Sequence, residues 1–202
     1  MIKTIIFDFG DVFINLDKTA IEKSFSRLGN STLINESKTL IDQYETGHIS
    51  TVDFIGNFQD KIKNSTQKQI ITAWNSILLD FPKYRFDFIE KLASENKYQL
   101  ILLSNTNDLH INWIIENIDF YPAFKNSFDA FYLSHKIHLR KPTTNIFQFV
   151  LKKHQLIPSE VLFIDDTFEN TEAASALGIQ IWNNDPKTED VIDLFTLKAS
   201  LF

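Results

Sequence analysis

The spacing of hydrophobic residues changes along the chain, and each change predicts a different kind of element. Residues 3–9 read KTIIFDF, a short β-branched and aromatic run that is unbroken up to Asp8. Such a run predicts a strand that is buried on both faces, as in a parallel sheet. Asp8 is therefore expected at the end of the first strand.

Between about residues 17 and 79 the spacing becomes helical. Four groups of apolar residues each predict one helix, with Gly29 and Gly47 as stops and Ser50 as an N-cap. The groups are Ile21, Phe25 and Leu28; Leu40, Ile41 and Tyr44; Phe54, Ile55, Phe58 and Ile62; and Ile70, Ile71, Trp74, Ile77 and Leu78. Four helices without an intervening strand predict a small helical bundle.

After Pro82 strand-like and helix-like segments alternate. The predicted strands cover residues 99–104, 130–134, 161–165 and 179–182, and the predicted helices lie near residues 86–95, 109–118, 143–154, 169–177 and 189–199. This alternation predicts an α/β fold, a Rossmann-like three-layer core with a central parallel sheet. We predict two domains, an α/β core of residues 1–15 and 83–202 and an inserted helical cap of residues 16–82.

The composition limits the kinds of partner and of catalytic group that the protein can have. The 202 residues are 44% hydrophobic and 23% charged, which is ordinary for a globular protein. The net charge of −6 argues against a nucleic-acid partner, which needs a basic face. No apolar stretch approaches the roughly 18 residues of a membrane helix. The absence of cysteine excludes thiolate metal sites and cysteine nucleophiles, and it fits a cytoplasmic protein.

Polar residues stand where the predicted strands end. They are Asp8, Ser104, Asn105, Asp165 and Asp166, joined by Lys141 in the segment LRKP. Parallel strands bind ligands at their carboxyl ends, so these side chains should share one site. Three converging carboxylates need a cation, and Mg²⁺ suits carboxylates completed by water and phosphate. Lys141 and Ser104 would stabilise a transferring phosphoryl group.

Four motifs in this order resemble those of the haloacid dehalogenase-like hydrolases. They are FDFGDV with Asp8, LLSNTN with Ser104, RKP with Lys141, and FIDDTFEN with Asp165 and Asp166. The resemblance covers the whole chain, because the helical insertion matches the first cap position of that family. Within the family the chain looks like a sugar-phosphate phosphatase.

The resemblance implies a role for each residue. Asp8 would be the nucleophile that forms an aspartyl-phosphate. Mg²⁺ would be held by the Gly10 carbonyl, Asp8 and Asp166, with Asp165 as a further ligand or a supporting group. The phosphate would be bound by Ser104, the Asn105 backbone and Lys141, and Asn170 would support the metal shell.

One position departs from the family pattern. Phosphatases of this family usually carry a second Asp two residues after the nucleophile, as general acid and base, and here that residue is Gly10. Such a general acid typically raises the reaction rate roughly 10²–10⁴-fold. The adjacent Asp11 is a candidate to replace it. Sugar-phosphate phosphatases with Gly at this point are still regarded as hydrolytic.

Three functions therefore stay open. The leading one is a Mg²⁺-dependent phosphatase of a small phosphorylated metabolite such as a sugar phosphate. The second is a weak or inactive relative that binds a phosphorylated ligand or a protein. The third is a 2-haloacid dehalogenase, which the acid pair Asp165–Asp166 disfavours. The histidines lack metal-like spacing and are interpreted as structural, with His48, between cap helices, as the one candidate to approach the site. A monomer or a homodimer both fit.

Overall fold

The computed structural model describes residues 1–202, and its centre is a sheet of five parallel strands in the order β3-β2-β1-β4-β5. The strands are β1 (Thr4–Phe7), β2 (Gln99–Ser104), β3 (Ala130–Leu133), β4 (Val161–Asp165) and β5 (Gln180–Asn183). The predicted α/β fold with a central parallel sheet is confirmed. None of the helices is long and apolar enough to cross a membrane.

The central strand β1 explains the apolar run that precedes Asp8. Ile5, Ile6 and Phe7 are fully buried, because β1 pairs with β2 on one side and β4 on the other. The strand is shorter than predicted, since the chain turns after Asp8. The Asp8 N–H still donates to the Ile164 carbonyl at 2.9 Å, so Asp8 keeps the alignment of the strand.

The faces of the sheet are covered by two separate hydrophobic clusters. One contains Ile5 and Phe7, while the other contains Ile6, as expected for alternating side chains in a strand. The first cluster is rich in stacked and edge-on aromatic rings, with Phe124 at its centre. Each buried Phe contributes about 1.5–3 kcal/mol by leaving water.

The helices outside residues 16–82 flank the sheet. They are α6 (Lys83–Ser94), α7 (Asp108–Asn117), α8 (Tyr121–Asn126), α9 (Ser134–Ile137), α10 (Thr144–Lys153), α11 (Phe168–Ser175) and α12 (Leu194–Leu197). The short helices α8 and α9 had no prediction.

The predicted terminal helix over 189–199 is wrong. The segment consists of a 3₁₀ turn at Val191–Asp193, helix α12 and a second 3₁₀ turn at Ala199–Leu201. Its breaks let the rings of Phe195 and Phe202 pack 4.7 Å apart, both beside Tyr98. A continuous helix would separate residues seven apart by about 10 Å along its axis.

Residues 16–82, called the insertion below, contain five helices instead of the predicted four. They are α1 (Ala20–Arg27), α2 (Leu33–Glu36), α3 (Lys38–Glu45), α4 (Thr51–Lys61) and α5 (Gln67–Asn75). Ser50 caps α4 as predicted, since its hydroxyl accepts from the Asp53 N–H. Helix α5 ends before Ile77 and Leu78, which instead belong to the returning connection.

The insertion has its own hydrophobic cluster, centred on Phe54, Phe58 and Trp74. Leu109 of α7 joins this cluster, so the insertion rests on α7. The two connecting segments pair with each other through a bridge between Leu16 and Leu78. The division into two domains at these boundaries stays a prediction.

Candidate active site

Three carboxylates meet where β1 and β4 end. Asp8 follows β1, Asp165 ends β4 and Asp166 comes next, and oxygens of all three lie within 4.8 Å of one another. The two strands are neighbours in the sheet, which is why residues far apart in sequence converge. Asp165 is fully buried and Asp8 is 8% exposed.

Lys141 lies between two of these carboxylates and is completely buried. Its Nζ is 2.7 Å from Asp8 Oδ1 and 2.6 Å from Asp165 Oδ2. The side chain of Asn105 fixes this loop, because it accepts from the Lys141 N–H and donates to the Lys141 carbonyl, both at 2.9 Å. A buried ammonium costs several kcal/mol unless it is paired, so the ion pairs hold Lys141 in place.

The charges of this cluster shift the pKa values of its members. Burial raises the pKa of Asp8 to about 7, opposed by Lys141 and reinforced by the charge of Asp165. Burial alone would lower the pKa of Lys141, but the two carboxylates outweigh it and raise this pKa. Lys141 is therefore the charged partner that opposes the rise in the pKa of Asp8.

Both carboxylate oxygens of Asp165 accept hydrogen bonds from groups inside the protein. Its Oδ1 accepts from the Thr167 N–H and the Asn170 amide, each at 2.9 Å. Its Oδ2 accepts from Lys141 at 2.6 Å and again from Asn170 at 3.1 Å. This bonding suits Asp165 to positioning Lys141 better than to binding an ion directly. Asn170 thus donates to both carboxylate oxygens of Asp165.

Lys18 is a neighbour of the site that we did not predict. Its Nζ lies 2.5 Å from Asp166 Oδ2 and 3.0 Å from Asp11 Oδ2. The available signal was a cation in the segment that follows β1, which leads from the site into the insertion. With Lys18 included, four carboxylates face two lysines. The excess of two negative charges and the oxygen ligands fit a divalent cation such as Mg²⁺.

Gly10 and Asp11 occupy the positions where the chain departs from the family pattern. A Cβ at Gly10 would lie 2.7 Å from Leu16 Cδ1, so an aspartate there would require the Leu16 side chain to move. Asp11 has a positive φ of 53°, a conformation that Asp tolerates. Its Oδ1 accepts from the Leu16 N–H at 3.0 Å and its Oδ2 pairs with Lys18. Both oxygens are engaged, which disfavours Asp11 as the substitute acid.

Ser104 and His48 have different positions relative to this cluster. Ser104 ends β2, next to β1, and is 3% exposed, so it borders the carboxylate cluster. His48 makes no hydrogen bond to the carboxylates. Its Nδ1 is 3.0 Å from the Thr46 carbonyl, and its ring is 5.6 Å from the ring of His138. The structure thus places His48 where the insertion meets the loop that leads to Lys141.

A cavity of about 190 Å³ adjoins the site between the sheet and the insertion. Gly10, Ser104 and Asn105 line one part of it, and Glu45 and His110 line another. We did not predict Glu45 or His110 as site residues. Glu45 belongs to the same segment, YETGHIS, as His48, whereas nothing in the local sequence marks His110.

The arrangement of motifs and strands matches a known family. A model described as haloacid dehalogenase-like hydrolase matches residues 2–178. The chain belongs to this family. The prediction of a hydrolase enzyme of this family is confirmed.

Individual relatives agree with this assignment. A D-ribitol-5-phosphate phosphatase of Bacteroides thetaiotaomicron is 29% identical, with 89% of this chain and 90% of the relative covered. An HAD family enzyme of the same organism, solved with magnesium and inorganic phosphate, is 36% identical with a TM-score of 0.84, covering 96% of this chain and all of that one. A predicted HAD-like family hydrolase of Porphyromonas gingivalis is 29% identical with a TM-score of 0.86, covering 98% of both chains. The predicted Mg²⁺ cofactor and small phosphorylated substrate agree with what these relatives are described to bind or hydrolyse.

Proposed function

We propose that this protein is a Mg²⁺-dependent phosphatase that hydrolyses a small sugar or polyol phosphate through an aspartyl-phosphate on Asp8. The observation that carries the proposal is the convergence of the carboxylates of Asp8, Asp165 and Asp166. The buried ammonium of Lys141 lies between Asp8 and Asp165. This charge pattern suits an anionic group bound together with a divalent cation.

Each residue then has one task. Asp8 attacks the phosphorus atom, so that the new bond joins its carboxylate oxygen to phosphorus while the bond to the alcohol oxygen breaks. The leaving alcohol oxygen takes a proton from solvent water, because position 10 carries no acid. A water molecule then attacks the phosphorus of the aspartyl-phosphate and loses a proton to solvent, while the bond between phosphorus and the Asp8 oxygen breaks. This step releases inorganic phosphate and restores the Asp8 carboxylate.

The remaining residues bind and orient the phosphate. Lys141 compensates its charge, and Ser104 and the Asn105 backbone donate hydrogen bonds. Asp8, Asp166 and the Gly10 carbonyl would hold Mg²⁺, which neutralises charge on the phosphoryl oxygens when it is bound. Asp165 keeps Lys141 in position, as its four hydrogen bonds indicate.

The substrate is proposed from size and similarity. The cavity volume of about 190 Å³ is below the ~300–1,000 Å³ of sites for drug-sized ligands. A small alcohol esterified with phosphate fits this volume. The D-ribitol-5-phosphate phosphatase relative favours a polyol or sugar.

The test is hydrolysis of a panel of sugar and polyol phosphates with Mg²⁺, in the wild type and in Asp8→Asn. We expect turnover that chelator abolishes and that Asp8→Asn lowers by at least about 10³-fold. The matched control is Asp87→Asn, since Asp87 is an exposed acid paired only with Lys83. Turnover that survives Asp8→Asn, or that ignores chelator, contradicts the proposal.

A second candidate function rests on Gly10. Without an acid at that position, the protein would be a slow or inactive relative that binds a phosphorylated ligand. This function predicts no turnover across the panel, while the ligands still raise the melting temperature.

A further inference from the structure

The cavity beside the proposed phosphate site has one charged lining residue, Glu45, which comes from the end of α3 in the insertion. Many of the other lining residues are apolar, among them Leu16, Ile77 and Leu78. Gly10, Ser104 and Asn105 mark the part of the cavity that adjoins Asp8. A phosphate ester bound there would therefore extend its alcohol part into a space shared with Glu45.

Glu45 is held in place by Arg140. The guanidinium Nη2 of Arg140 is 2.9 Å from Glu45 Oε2, and its Nη1 is 2.5 Å from Asp42 Oδ1. The Glu45 side chain is 17% exposed, whereas that of Asp42 is 53% exposed. Glu45 is thus a mostly buried carboxylate whose orientation is fixed before any ligand arrives.

One oxygen of this carboxylate has no partner in the protein. Arg140 donates to Oε2, and Oε1 accepts no hydrogen bond. An ionised carboxylate has about four acceptor positions, so Glu45 can accept further donors from the cavity. A hydrogen bond to an ionised carboxylate is roughly twice as strong as one between neutral groups.

The other large polar residues that line the cavity are already bonded. The two ring nitrogens of His110 face the Asn107 amide at 3.2 Å and the Trp74 carbonyl at 3.3 Å. The Asn105 side chain is occupied by the backbone of Lys141. Glu45 is therefore the charged residue of the cavity whose carboxylate still has a free acceptor atom, Oε1.

We propose that Glu45 is the specificity-determining residue, and that it accepts hydrogen bonds from hydroxyl groups on the alcohol part of the substrate. The proposal rests on the proposed phosphatase function and deepens it. It selects phosphate esters of polyhydroxy alcohols over esters whose alcohol part carries no further hydroxyl. It also disfavours substrates with a second anionic group, which Glu45 would repel.

The test compares Glu45→Ala with the wild type on ribitol 5-phosphate, glycerol 3-phosphate and phenyl phosphate, with kcat and KM measured separately. We expect kcat/KM for ribitol 5-phosphate to fall about 10- to 100-fold, chiefly through KM, because a charged hydrogen bond is lost. Phenyl phosphate should change by less than about threefold, since its ring offers Glu45 no donor. Equal losses on all three esters would overturn the proposal.

Two further variants separate recognition from structure. Asp42→Ala removes the other ion pair of Arg140 but does not touch the cavity, so it should affect all esters equally and weakly. Glu45→Gln keeps an amide oxygen as acceptor and should recover part of the ribitol 5-phosphate activity. If Asp42→Ala reproduces the selective loss, or if Glu45→Gln matches Glu45→Ala, the role of Glu45 is structural and the proposal is wrong.

A binding measurement keeps this test independent of turnover. If the wild type hydrolyses no ester, the proposed phosphatase function fails, and melting temperatures with Mg²⁺ then decide on Glu45 alone. Ribitol 5-phosphate should stabilise the wild type more than inorganic phosphate does, and Glu45→Ala should abolish the difference. An unchanged difference in Glu45→Ala would contradict the recognition role.

Discussion

Two adjacent residues, Arg140 and Lys141, each pair with two carboxylates, but they do so in different regions. Lys141 lies in the strand-end site, fully buried between Asp8 and Asp165. Arg140 lies in the insertion contact, defined here by Arg140, Asp42 and Glu45, and is 29% exposed. One region excludes water from its charges, and the other leaves them partly hydrated.

The difference teaches how much each pair contributes. Removing one member of a buried pair leaves an uncompensated charge, which costs about 3–5 kcal/mol. Exposed pairs are screened by solvent and are worth about 0–1 kcal/mol. The pairs of the strand-end site are thus strong, whereas in the insertion contact the exposed Asp42 pair contributes little and the less exposed Glu45 pair contributes more.

The largest expected effect comes from Lys141→Met. This change should lower the free energy of unfolding by about 3–5 kcal/mol without Mg²⁺, because Asp8 and Asp165 lose their shared cation. Urea denaturation measures it, and the matched control Arg140→Met should lose less, because the charges around Arg140 stay partly hydrated. Similar losses in the two variants would abolish the distinction between the regions.

The next effect concerns His110, which stacks on Trp74 of the insertion at 5.2 Å. Burial lowers the pKa of His110 from 6.5 to about 4, so the folded protein holds it neutral. The unfolded chain binds a proton below pH 6.5. Stability should therefore be unaffected by His110 above pH 6.5 and should fall between pH 6.5 and 4, by up to about 3 kcal/mol.

His110→Gln checks this prediction, since glutamine does not titrate. Denaturation curves at several pH values should show a smaller decrease in the variant than in the wild type over this window. Parallel curves for the two proteins would mean that the pKa of His110 is the same in the folded and unfolded states.

A smaller effect is expected from Gly10→Ala in the strand-end site. The new Cβ would meet Leu16 Cδ1 at 2.7 Å, and overpacking of this kind costs about 1–3 kcal/mol. Thermal unfolding of Gly10→Ala, Leu16→Ala and the double variant gives the coupling between the two positions. The double variant should recover part of the loss, whereas additive losses would show that Leu16 is not the obstacle.

The smallest effect is expected from Asp42→Asn in the insertion contact. The exposed pair with Arg140 should contribute about 0.2–1 kcal/mol at low salt. At about 1 M salt the Debye length is near 3 Å and the contribution should vanish. A loss that persists in high salt would show that this contact is more buried in solution than its exposure indicates.

Much of the fold was predictable because its local signals agree. The run IIF before Asp8 and the run LLS before Asn105 both predicted buried parallel strands, and β1 and β2 lie there. The errors occur where tertiary packing overrides the local hydrophobic pattern. Phe195 and Phe202 pack beside Tyr98, so the terminal segment is divided into short turns that its hydrophobic spacing does not predict.

The sequence by itself determined that Asp8, Ser104, Asp165 and Asp166 stand at strand ends, because each lies at the end of a run whose hydrophobicity identifies a buried strand, whereas Lys141 lies in the loop after α9. Parallel strands share one edge, which brings these residues to one side of the sheet. The tertiary structure alone decided that Asp165 pairs with Lys141, that Leu16 packs next to Gly10, and that Lys18 pairs with Asp166. It also brought Glu45 to the cavity. Contacts between distant segments depend on packing in three dimensions, and residue order carries no local signal for them.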